Sequence, residues 1–210
     1  MLSEMLGLIF LVCFAASVVG AVCGIGGGVI MKPVLDTFGF ASVSTISFLS
    51  GCTVLAMSAY SIGKTVLAGE SEIEYRTATP LAIGAAAGGV IGKQLFTLVK
   101  NSSPNPDFVG TVQSAALAAV TLGALLYTVN RARIRPHQLD GAAPAAGIGT
   151  ILGILSSFLG IGGGPINLPV LHYFFSMETK TAAQNSLYTI LFSQAASLVA
   201  TLVTGTVPEF

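Results

Sequence analysis

An all-α, polytopic membrane fold built from two repeated helical units is what this sequence predicts, on three observations. Only 9% of the 210 residues are charged and 53% are hydrophobic, against about 25% charged in an ordinary soluble domain. The chain therefore lacks the charges to cover a water-facing surface. The apolar residues lie in long runs, which argues for spanning helices and against a strand-built barrel. A glycine-rich motif also occurs twice, at corresponding places in the two parts of the chain.

Taken in order, runs long enough to cross about 30 Å of hydrocarbon extend from Met5 to Val22, Val43 to Ala68, Thr77 to Leu98, Phe108 to Val129, Ala142 to Leu159 and Thr181 to Thr204. Two shorter apolar pieces remain, Val29 to Phe40 and Pro165 to Phe175. Each follows a glycine cluster and contains a proline, the pattern of a broken or re-entrant helix. The N-terminal run carries Glu4 instead of Lys or Arg and continues past any cleavage site, and Val22 before Cys23 spoils a lipobox, so it reads as a retained first helix.

The polar connections fix an expected orientation. Arg131, Arg133 and Arg135 form the densest basic segment, and the positive-inside rule puts it in the cytoplasm, with the Glu70 to Arg76 loop on the same side and the Lys100 to Asp107 loop opposite. The nine Lys/Arg and nine Asp/Glu cancel and leave no basic face, so a nucleic acid is not an expected partner. Gly84, Gly88 and Gly92, like Gly149 and Gly153, recur every fourth residue, as expected where helices approach closely.

Other chemistries find little support. Cys13, Cys23 and Cys52 lie in apolar runs without metal-ligand spacing and read as packing residues. The dinucleotide fingerprint fails at Val29 and Pro165, and a Walker-like Gly63-Lys64-Thr65 has Ser58 where a glycine is required. No cofactor is implied.

The repeat is the strongest internal signal. An offset of 136 residues aligns Gly24-Ile25-Gly26-Gly27-Gly28 with Gly160-Ile161-Gly162-Gly163-Gly164, and Pro33-Val34-Leu35 with Pro169-Val170-Leu171. The same register pairs Ser50 with Ser186 and Thr53 with Thr189, which shared apolarity alone would not do. Residues 1–130 form the first unit, 131–141 a basic cytoplasmic linker, and 142–210 a second unit without counterparts of the first unit's last two spans. Duplicated halves with helix breaks at matching positions point to a transporter site where the repeats meet.

The glycine clusters suggest what such a site binds. Glycines reach positive φ and expose successive N–H groups, and a helix opening just after them adds its partial positive charge, which together suit an anion. The candidate substrate-binding residues are Gly26, Gly27 and Gly28 with Lys32, Ser50 and Thr53, and Gly162, Gly163 and Gly164 with Asn167, Asn185, Ser186 and Thr189. Polar groups are costly inside a membrane and so mark function, although a Ser or Thr there often only bonds back to its own helix. Lys32 and Asp36 stand four apart on the short helix and can pair with each other, while Lys32 can instead attract an anion or reach the interface. Asp36 and His172 are candidates for a proton relay.

These repeated motifs, with Gln184-Asn185-Ser186-Leu187 and the charged turn Glu72 to Arg76, resemble the sulfite exporter TauE/SafE family. That resemblance implies a multi-pass permease of the inner cell membrane for small inorganic or organosulfur anions, sulfite among them, with no enzymatic activity. The expected mechanism is alternating access between the two repeats, with the lipid bilayer as surroundings and self-association left open. Two rivals remain: a non-transporting membrane scaffold subunit, and an intramembrane enzyme, for which His137 and His172 offer no nucleophile or metal constellation.

Overall fold

The computed structural model describes residues 2–38, 42–102, 106–205 and 207. Among these it contains eight α-helices and no strand: α1 Leu2–Cys23, α2 Gly28–Phe38, α3 Val43–Leu67, α4 Tyr75–Ser102, α5 Pro106–Asn130, α6 Ala142–Leu159, α7 Asn167–Phe175 and α8 Thr179–Val203, with a 3-10 turn at Arg131–Arg133. The expected end of the second segment at Phe40, part of the Lys100 to Asp107 loop, and the last three residues lie outside the described residues.

Five of the helical stretches, α3, α4, Phe108–Arg133, α6 and α8, are long and apolar enough to cross a membrane, and α1 adds a shorter apolar stretch, Ile9–Cys23. Side chains such as Phe10, Phe14, Leu67 and Val203 are widely exposed, which a bilayer tolerates and water would not. The protein is therefore a multi-pass membrane protein.

Glycine fixes the closest helix pair. A Cβ added at Gly84, Gly88 or Gly92 of α4 would stand 2.0, 2.1 or 2.4 Å from the carbonyl oxygens of Ala146, Thr150 and Ile154 in α6. One added at Gly149 or Gly153 would stand 2.0 or 2.2 Å from the carbonyls of Leu81 and Ala85. The contacts climb both helices together, so α4 and α6 run parallel, with backbones near enough for weak Cα–H···O contacts.

Helices α3 and α8 run antiparallel. Glu72, just beyond the C-terminal end of α3, meets Lys180 at the N-terminal end of α8, whereas Gly51 early in α3 lies against Gln194 and Leu198 late in α8. The acidic loop and the arginine segment share one end of the bundle, since Arg131 donates to Thr179 Oγ1 at 2.7 Å. Lys100 donates to Ser44 Oγ at 2.8 Å at the other end.

The expectation that the prolines break the short helices is corrected. Pro33 lies within α2 and Pro169 within α7. Pro169 falls in the first turn, where its missing N–H has no intrahelical acceptor to lose, and Pro33 forfeits only one bond near the start of α2. The chain turns at the glycines instead, where φ is +69° and +74° at Gly24 and Gly26, and +67°, +68° and +104° at Gly160, Gly162 and Gly163.

Candidate functional site

The two glycine turns cross each other inside the bundle. A Cβ on Gly26 would stand 3.5 Å from the Gly162 carbonyl oxygen, and one on Gly28 would stand 2.1 Å from that of Ile161. The surrounding contacts are reciprocal. Gly160 packs on Ser47 and Gly24 on Ala183; Gly162 packs on Val54 and Gly26 faces Ile190. In each pair of contacts the residues correspond at the 136-residue offset. Gly27 is hemmed in by the Ala16 carbonyl and its own carbonyl accepts from Ile30 and Met31, which starts α2. Gly163 and Gly164 pack on the side chains of Ile190 and Ile161.

Between this crossing and the bundle end where Ser44 meets Lys100 lies a polar cavity of about 20 Å³, walled by α3, α4, α5, α6 and α8. That is room for a single water-sized guest. Ser47, Gln113, Ser156, Ser157, Gln194 and Ser197 line it, with Lys93 and the ring of Phe96 at one side. The Ser156 and Ser157 hydroxyls are buried without a hydrogen-bond partner. Lys93 lies 5.6 Å above the Phe96 ring centre, within cation–π range.

Behind this wall sits Lys32, only 1% exposed. Its ammonium donates to Ser47 Oγ at 3.0 Å and to Gln113 Oε1 at 2.7 Å. Gln113 Nε2 in turn donates to the Phe158 carbonyl oxygen at 2.5 Å. Because an ammonium cannot accept and a carbonyl cannot donate, the two partners fix which way the Gln113 amide points. Gln113 thus caps a free carbonyl at the end of α6 and ties α5 to α2.

The other expected residues divide. Ser50 Oγ is buried, unpartnered and close to Gly28. Asn167 donates to Ser186 Oγ at 3.3 Å and leaves its Oδ1 buried and unpartnered. Thr53 and Thr189 bond back to the carbonyls of Leu49 and Asn185. Asn185 turns toward the loop before α4, accepting from the Glu74 N–H at 3.1 Å and donating to the Thr181 carbonyl at 2.7 Å. The structure therefore brings the Lys32 ammonium to Gly160 of the second glycine turn, Ser50 to Gly28 of the first, and Asn167 to Ser186, but holds Asn185 in loop contacts.

Gln113, Lys93, Ser156, Ser157 and Ser197 were not among the sequence candidates. Gln113 is the one carboxamide between Phe108 and Val129, and Ser156-Ser157 is a polar pair inside an apolar run just before the second glycine cluster; those were the available signals. His172 Nδ1 meets the Tyr127 hydroxyl at 2.7 Å, outside the cavity. Among the described residues no group of three or more His, Cys, Asp or Glu is placed to hold a metal ion.

Polar contacts tie the loop before α4 to α8 at the opposite end of the bundle. Lys180 and Thr181 both donate to the Glu72 carboxylate, and Gln184 Oε1 accepts from the Glu72 N–H at 2.6 Å. The Lys180 hydrogen bond, followed by that of Thr181, holds Glu72 below the usual carboxylate range.

A paired glycine crossing beside a polar cavity, in a bundle of membrane-spanning helices, is transporter architecture, and the comparisons with known proteins agree. The probable membrane transporter protein YunE of Bacillus subtilis (strain 168) is 26% identical, over 90% of this chain and 76% of that relative. No solved structure matches. The family profile for the sulfite exporter TauE/SafE matches residues 9–209, and the chain belongs to that family of membrane transporters.

Proposed function

We propose that the protein is a permease of the cell membrane for small anions, sulfite or a related organosulfur anion, working by alternating access between its two repeats. The observation that carries this reading is the polar cavity beside the crossed glycine turns. Hydroxyl, amide and ammonium groups are costly within a bilayer unless they serve a polar guest. The antiparallel course of α3 and α8, with their reciprocal glycine contacts, supports repeats of inverted topology.

A cavity with room for one water is too small for a sulfur oxyanion, and polar contacts tie helices together at both ends of the bundle. On this reading the arrangement corresponds to an occluded state. Rocking of α2 and α3 against α7 and α8, about turns that only glycine accommodates, would open first one end and then the other. With the arginine segment cytoplasmic, the cavity lies in the outer half and the Glu72 contacts lie at the inner side.

The test is uptake of labelled sulfite into proteoliposomes, competed with sulfate and sulfoacetate, against the double variant Gly27→Leu, Gly163→Leu. Uptake lost in a variant that still folds supports the reading. A well-folded chain that neither binds nor carries any of these anions supports a non-transporting scaffold instead. Uptake retained in His172→Ala counts against an intramembrane enzyme.

A further inference from the structure

We infer that the polar cavity, once widened beyond the room for one water that it has here, is an oxyanion site in which an anion's oxygens displace Gln113 Oε1 from the Lys32 ammonium and accept from the Ser156 and Ser157 hydroxyls. This deepens the permease reading and rests on it.

The first observation is a buried ammonium with no carboxylate in contact. Lys32 is buried and its two hydrogen-bond acceptors are neutral; Asp36, one turn further along α2, acts on it electrostatically, but among the described residues no direct ion pair joins them. A buried ammonium with no carboxylate in direct contact is costly. The C-terminal end of α6, at Phe158 and Gly160, faces it and contributes a partial negative charge of about half a unit at most. A bound anion supplies the rest.

The second observation is unused donor capacity. Ser156 and Ser157, 6% and 7% exposed, line the cavity with no hydrogen-bond partner. Hydroxyls donate to oxygen acceptors over short distances, which favours an oxyanion over a halide. Lys93, on the cavity wall, adds a second positive charge.

The third observation concerns α5, which touches the rest of the bundle only sparsely. Gln113 is its buried polar tether, so an anion that takes the amide's place on Lys32 also loosens α5 from α2. Substrate binding and release of that wall then become one event.

No equivalent is found at the matching positions of the second half. Leu168 stands at the counterpart of Lys32 and Ala183 at that of Ser47. The site is one-sided: Lys32, from the helix that follows the first turn, reaches Gly160 of the second turn, beside Ser156 and Ser157.

The experiment measures equilibrium binding of labelled sulfite to the purified full chain, with formate and chloride as competitors, for Lys32→Met, the double variant Ser156→Ala, Ser157→Ala, and Gln113→Leu. At least tenfold weaker binding is expected in the first two, competition by formate but not by chloride, and tighter binding in Gln113→Leu, which removes the acceptor that competes with the anion for Lys32. The serine double variant introduces no buried charge and keeps the test decisive should Lys32→Met misfold. A folded Lys32→Met or serine variant that binds sulfite as tightly as the unmodified chain overturns the site while leaving the permease reading intact. Binding in Gln113→Leu no tighter than in the unmodified chain overturns the exchange. Absence of any anion binding or uptake by the unmodified chain removes both readings.

Discussion

Gly28 lies directly beneath Ile161: a methyl group on its α-carbon would stand 2.1 Å from the Ile161 carbonyl oxygen and 2.7 Å from Ser50 Oγ. The obstacle is backbone from the other glycine turn, which cannot rotate away. Overpacking of this kind costs about 1–3 kcal/mol, and Gly28→Ala is expected to reach the upper part of that range because the two turns must separate. Gly63→Ala in α3 is the control, since nothing lies within 4 Å of its added Cβ. Its gain in helix propensity is about 1 kcal/mol at most. Thermal midpoints in detergent should fall for the first variant and hold or rise for the second.

Asn185 has a clear task at the bundle end. It is fully buried, and its amide serves the Glu74 N–H and the Thr181 carbonyl. Asn185→Ala takes the partner from the Glu74 N–H, which lies at the exposed end of the bundle, a loss of about 0.5–1.5 kcal/mol. Hydrogen exchange at residues 72–76 should quicken in this variant. Unchanged exchange there would show that the loop is held by other contacts.

Glu72 makes the same loop sensitive to acid. Its folded pKa is depressed from the ordinary value of 4.5 by the hydrogen bonds from Lys180 and Thr181. A carboxylate with a depressed folded pKa contributes stability that is present above 4.5 and lost as pH falls through the lower folded value. Proteolysis of the loop should therefore be slow at neutral pH and accelerate only below about 4.5, with the change blunted in Glu72→Gln. Both partners are solvent-exposed, so high salt should weaken the contact as well.

Helix limits were legible in this sequence because hydrocarbon imposes them. Ala142 to Leu159 is read identically from apolar run and from structure, and α3 differs from its run by one residue at Ala68. The glycine face of α4 was equally plain, since a four-residue recurrence has few other uses in an apolar helix. The cavity was not legible. Gln113 and Ser157 come from helices far apart in sequence, and only the parallel course of α4 and α6 and the end of α6 at Gly160 bring them beside Ser47. The role of Asn185 was hidden for a related reason, because the N-terminal end of α8 meets the loop that follows α3 only once those helices lie antiparallel.

Gly160 and Ser47 allow the fit at the crossing to be separated into its parts. A Cβ on Gly160 would stand 2.5 Å from Ser47 Oγ and 2.9 Å from Ser47 Cβ, with the Lys32 ammonium nitrogen at 3.4 Å. Its φ of +67° is also a conformation that resists side chains, at a cost of about 1–2 kcal/mol. Gly160→Ala therefore combines a clash with backbone strain. Ser47→Gly removes the clashing atoms but leaves the strain, so the double variant Gly160→Ala, Ser47→Gly should be less destabilised than the sum of the single variants. Contacting residues of this sort show coupling of about 0.5–3 kcal/mol. A thermal or chemical unfolding cycle over the four proteins reads it directly. Full additivity would mean that Gly160 is required for its backbone angle alone and that the contact with Ser47 is slack.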